Sequence, residues 1–111
     1  MRRTKTVELV TGPEVLRHRI DEVLTALHFL EAHGFAHMVG IAYELCRDPQ
    51  GETVSRVVAL KLRDEGMIER YLDDGHVVMD AATQSIILAA VKRVGLGRYQ
   101  VVKTAKEIIS R

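Results

Sequence analysis

The sequence predicts a mainly helical α+β fold: a short strand, three helices, a β-hairpin and two more helices, in one domain spanning residues 1–111. Three observations carry this. Apolar residues recur at helical spacing along most of the chain. Asp74-Gly75 stands between two β-prone runs, a strong hairpin signal because glycine accepts the positive φ that tight hairpins need. The 111 residues, 47% apolar and 28% charged, suit one folded domain with a core.

Thr6–Val10 is short and β-prone, so residues 1–10 read as an arm with a strand. Thr11 or Gly12 can then cap a helix that has Pro13 in its first turn and Glu14 near the positive end of its dipole. Leu16, Ile20, Val23, Leu24, Leu27 and Leu30 share one stripe of that helix, and Gly34 is placed to end it in a left-handed cap. A second helix follows over Ala36–Cys46. A third runs over residues 52–65 to Gly66, although Asp48-Pro49 also resembles a helix start. The hairpin occupies Met67–Met79. Asp80 caps a fourth helix over Ala81–Val94, Gly95-Leu96-Gly97 breaks it, and a last helix covers Arg98–Ser110.

Composition narrows the function. Sixteen basic and fifteen acidic residues leave a net charge of +1, so polyanion binding needs local patches. Charge is segregated: residues 1–5 carry +3, residues 6–80 carry −7 and residues 81–111 carry +5. One cysteine excludes a disulfide framework and a four-cysteine zinc site. No apolar run nears the roughly 20 residues of a membrane span, and the charged start lacks a signal peptide's apolar stretch. A cytoplasmic protein is expected. The absence of asparagine and the three glutamines match the depletion of thermolabile side chains in proteins from hot environments. His33 and His37 stand four apart, but Gly34 interrupts them and no fourth ligand is evident, so no metal or cofactor is expected. Cys46 reads as a small core residue. No nucleophile–base set or carboxylate pair falls into one cleft, and an enzyme is not expected.

Three helices followed at once by a hairpin outline a winged helix. Thr53-Val54-Ser55-Arg56, then Leu62-Arg63-Asp64-Glu65-Gly66-Met67-Ile68-Glu69-Arg70, then Asp74-Gly75-His76-Val77-Val78-Met79 resemble winged helix-turn-helix regulators of the MarR and ArsR kind. The resemblance covers roughly residues 14–80. It implies a recognition helix at 52–65 in the major groove of double-stranded DNA, a wing at the hairpin, and terminal helices used to dimerise.

On a helical projection, Val54, Val57, Val58 and Leu62 share an apolar stripe. Glu52, Arg56, Ala59 and Arg63 lie opposite. Arg56 and Arg63 can therefore read guanine edges, while Thr53 and Ser55 bond phosphates. Arg70 and His76 are the wing's cationic candidates, and Arg2, Arg3 and Lys5 form a basic arm able to enter a minor groove. The wing tip, Asp73-Asp74, repels phosphate. That leaves open an alternative: a winged helix used for protein–protein assembly without DNA. The fourth helix is apolar on every side and must be covered on every side. Ile86, Ile87, Leu88 and Val91, with Val101 and Ile108 of the last helix, are thus expected at a homodimer interface. The expected function is a sequence-specific DNA-binding protein, a transcriptional regulator, with no effector specified by the sequence.

Overall fold

The computed structural model describes residues 13–109. The expected strand at Thr6–Val10, the basic arm Arg2, Arg3 and Lys5, the expected cap at Thr11 or Gly12, and Ser110 of the expected C-terminal helix lie outside the described residues. The fold is mixed α+β and mostly helical, with two separate two-stranded antiparallel sheets.

Helix α1 spans Pro13–Ala32 and α2 spans Ala36–Arg47. Ile20, Val23, Leu24, Leu27 and Leu30 of α1 are buried as the stripe predicts, but Leu16 at its end is 47% exposed. Gly34 takes φ +86°, and the Phe35 N–H donates to the Leu30 carbonyl at 2.8 Å, which closes a Schellman-type end. The chain turns back at once, and Met38, Val39, Ala42 and Leu45 of α2 join the same core.

Helix α3 is shorter than expected: Arg56–Asp64 rather than 52–65. Two local features explain the difference. Ser55 is the N-cap, its Oγ accepting from the Val58 N–H at 3.3 Å. Asp48 instead closes a turn, accepting the Gly51 and Glu52 N–H groups on its carbonyl, so Asp48-Pro49 starts no helix. The buried side is also turned from the projection. Ala59 and Leu62 are fully buried, Val58 is half-buried, and Val57 is 74% exposed. The small Ala59 lets the helix sit close to the core, and Val54, which lies outside the helix, drops out of the stripe.

Gly66, at φ +80°, ends α3, and the Met67 N–H returns to the Leu62 carbonyl at 2.9 Å. The first hairpin follows: β1 is Arg70–Tyr71 and β2 is Val77–Val78, with Arg70 opposite Val78. Its loop is Asp73-Asp74-Gly75, in which the Gly75 N–H donates to the Leu72 carbonyl at 3.0 Å and Gly75 takes φ +92°. This is a three-residue hairpin loop with its glycine in the left-handed position.

Helix α4, Ala81–Ala90, begins at Asp80, whose carboxylate accepts from the Thr83 N–H at 3.1 Å. It stops four residues before the expected Val94. Val91 is extended and opens β3, Val91–Gly95, which pairs with β4, Arg98–Val101, through a bulge between Arg93 and Gly95. The expected helix over Arg98–Ser110 shrinks to α5, Ala105–Ile109. The physical reason is visible in the residues. Val91, Val94, Tyr99, Val101 and Val102 are β-branched or aromatic. Gly97, at φ +68°, makes Gly95-Leu96-Gly97 a hairpin turn instead of a helix break. Thr104 caps α5: the Glu107 N–H donates to Thr104 Oγ1 at 3.2 Å, and Glu107 Oε1 accepts from the Lys103 N–H at 3.2 Å.

The homodimer interface expected on the fourth helix is corrected by the same facts. Ile86, Ile87, Val91, Val101 and Ile108 are all buried within the chain's own core, and only Leu88, at 38%, stays outside it. Helices α1 and α2, the second hairpin and α5 cover α4. Arg19 ties this assembly from α1, donating to the Thr83 hydroxyl and to the Gly66 carbonyl. Among the described residues, no helix is long and apolar enough to cross a membrane.

Candidate nucleic-acid interface

Helix α3 exposes one side, and its two arginines lie together along one edge of that side. Arg56 and Arg63 are seven residues apart, about 10 Å along the axis. Both are exposed, and neither side chain makes a hydrogen bond or ion pair among the described residues. Val57 lies on the crest itself with Asp64. Lys61 is tethered: its Nζ lies 3.4 Å from Glu65 and sits over the Phe29 and Phe35 rings at 5.2 and 4.9 Å.

The other expected contacts are placed less freely. Ser55 Oγ is used in the N-cap. Thr53 is exposed but packs on the first hairpin: a Cβ at Gly75 would lie 3.2 Å from its own. Arg70 is exposed on β1.

His76 is bound on both ring nitrogens. Nε2 lies 2.9 Å from the Gln50 carbonyl and Nδ1 lies 3.1 Å from Asp74 Oδ1. A carbonyl accepts only, so Nε2 carries a proton, and the carboxylate calls for a second on Nδ1. The Asp74 hydrogen bond, followed by the Gln50 carbonyl, raises the His76 pKa. Asp74 is held below its usual range, first by the His76 backbone N–H and then by the ring. The Val54 N–H also donates to the Gly75 carbonyl at 3.0 Å. The first hairpin is thus folded back on the segment before α3, with two carboxylates at its tip.

The second hairpin supplies basic residues that the sequence reading placed on helices. Its inner side packs on α2 through Tyr99, whose hydroxyl donates to Glu44 Oε2 at 2.6 Å. Arg93 donates to the same oxygen at 2.7 Å, and Arg47 donates to Oε1 at 3.1 Å. The Tyr99 hydrogen bond, aided by both arginines, lowers the Glu44 pKa, and the same bond raises that of Tyr99. Lys92 and Arg98 remain exposed on the hairpin without such partners among the described residues. An open cleft of about 800 Å³ separates this hairpin from α3; Gly97 and Arg98 border it on one side, Ser55 and Val58 on the other. The signal for this hairpin was present in the sequence, as a Gly-Leu-Gly turn between valine-rich runs.

No group of three or more metal-ligating side chains gathers among the described residues. Burial pushes the Cys46 thiol up to about 12, far from a reactive thiolate. Comparison with family models, with curated proteins and with solved structures returns no match.

Proposed function

We propose that the chain is a winged-helix protein that binds double-stranded DNA, with α3 entering the major groove, and that it acts as a transcriptional regulator. Arg56 and Arg63 carry this reading: two exposed guanidiniums without internal partners, on the free side of a capped helix that a β-hairpin follows at once. An arginine so placed can bond bidentately to guanine O6 and N7. The short first hairpin serves as a brace for α3 in this reading, because its tip is acidic and His76 is already bound.

Protein–protein assembly is the second reading, favoured by one observation. Val57, 74% exposed at the crest of α3, is an apolar contact that DNA does not require. Helix α4, expected at a homodimer interface, packs within its own chain and leaves Leu88 38% exposed.

The deciding experiment is selection from a random duplex pool at two salt concentrations, on protein of measured solution mass. Affinity that falls steeply with salt, together with an enriched site, supports the DNA reading. One half-site or two, read beside the mass, gives the stoichiometry. No duplex binding at low salt by the folded protein overturns it in favour of assembly.

A further inference from the structure

We infer that the second hairpin, β3–β4, is a DNA-contacting element in its own right, with Lys92 and Arg98 on phosphates and Leu96 as an apolar wedge in a minor groove. The inference rests on the DNA reading above and goes beyond it. It assigns the wing's usual work to a hairpin the family resemblance does not include.

Charge is the first observation. Residues 81–106 contain no Asp or Glu and hold Lys92, Arg93, Arg98, Lys103 and Lys106. The first hairpin has Asp73 and Asp74 at its tip, so the two hairpins present opposite charge to a polyanion. Availability is the second. Arg93 is spent on Glu44, whereas the Lys92 and Arg98 side chains are exposed and make no hydrogen bond or ion pair among the described residues. The Arg98 guanidinium lies over Gly95: a Cβ there would be 3.0 Å from Nε.

Shape is the third. Leu96 is fully exposed at the turn between Gly95 and Gly97, and Val94 beside it is 48% exposed. An apolar residue at the tip of a basic β-ribbon has the chemistry of side chains that wedge between base steps and kink a duplex. Position is the fourth. The hairpin tip and the start of α3 border the same cleft, so both can reach one duplex. Glu31, Glu44 and Glu52 also line that cleft, and their carboxylates repel phosphate from it, which leaves the contacts to the hairpin and α3 on either side.

The test uses the full chain and the duplex enriched by the parent. Three variants are compared, with folding checked by circular dichroism: the double variant Lys92→Gln/Arg98→Gln, Leu96→Ser, and Arg56→Ala as the control for α3. The double variant is expected to lower the slope of log affinity against log salt by about 2, the loss of two phosphate contacts. It is expected to weaken specific and unrelated duplexes in the same proportion. The parent is expected to bend the duplex by at least about 20° in an end-to-end fluorescence transfer assay, and Leu96→Ser to lose most of that bend.

If Arg56→Ala weakens binding while the double variant keeps the parent's salt slope, or Leu96→Ser keeps its bend, the hairpin inference is overturned and the α3 reading stands. If the parent binds no duplex at low salt, both are overturned. Vesicles of phosphatidylserine and phosphatidylcholine form the last arm. Binding to them that Leu96→Ser abolishes, with duplex affinity and bend unchanged, also overturns the inference and makes the hairpin a membrane-surface element.

Discussion

The Tyr99 ring occupies the space a side chain at Gly40 would take: a Cβ there would lie 2.6 Å from Cε2 and 2.7 Å from Cδ2 of the ring. Glycine in the middle of a helix costs about 1 kcal/mol relative to alanine. At position 40 that cost is offset by letting the second hairpin settle on α2, where Tyr99 also reaches Glu44 and faces Tyr43 with ring centroids 5.6 Å apart.

Gly40→Ala is therefore expected to destabilise the protein by about 1–2 kcal/mol net, overpacking outweighing the helix-propensity gain. Urea unfolding measures this. In the Tyr99→Ala background the same substitution should be neutral or stabilising, because the clash is gone. Equal effects of Gly40→Ala in both backgrounds would show that the two residues are not coupled.

Arg56→Ala is expected to weaken binding to the enriched duplex by about 1–3 kcal/mol. Stability should stay within about 0.5 kcal/mol, since the side chain is exposed and has no internal partner. A titration by fluorescence anisotropy beside urea unfolding separates the two. Unchanged affinity would remove Arg56 from the interface.

The His76–Asp74 pair predicts a pH window for the first hairpin. The folded pKa of His76 is raised above its ordinary 6.5. Its stabilisation is therefore fully present below 6.5 and is lost as pH rises through the folded value. The folded pKa of Asp74 is lowered from 3.8, so its stabilisation is present above 3.8 and is lost as pH falls through the folded value. The hairpin is firmest between the two. His76→Gln should flatten the alkaline decline of the urea midpoint, and Asp74→Asn should remove the acid-side loss from this site. Midpoints from pH 3 to pH 9 that fall alike in parent and variants would show that the pair is not linked to folding.

Cys46 is expected to resist thiol reagents in the native state. It is 2% exposed and its pKa is pushed up to about 12, so little thiolate exists near neutral pH. Labelling with a disulfide reagent should proceed only at the rate of opening, and should accelerate with urea as stability falls. Immediate stoichiometric labelling without denaturant would contradict the burial.

The local chemistry of residues 13–90 was largely legible in the sequence. The α1 stripe from Ile20 to Leu30, the glycine ends at Gly34 and Gly66, the Asp-Gly loop of the first hairpin and the Asp80 cap are each set by neighbours a few residues apart. Short-range bonds and periodicity act before tertiary packing, so a reader of the chain can find them.

Other features depended on contacts distant in sequence. Val54 is held out of α3 because its N–H is taken by the Gly75 carbonyl, 21 residues on. Lys61 is drawn to Phe29 and Phe35, and Val57 is left outside because Ala59 makes the closer approach to the core. The largest difference lies at Val91–Val102. There the valines satisfy a helical stripe and a strand alike, and the Gly-Leu-Gly turn permits either reading. The second hairpin has what the helix lacks: a smooth place on α2 at Gly40, a hydroxyl partner at Glu44 for Tyr99, and a buried Val91–Val101 pair. By itself the sequence determined α1 and α2, the glycine ends at Gly34 and Gly66, the Asp80 cap and the first hairpin's turn. Only the tertiary structure decided which valines turn inward, that α4 is covered by its own chain, and that the basic C-terminal third forms a ribbon beside α3, because packing between remote segments chooses among conformations that local preference leaves nearly equal in free energy.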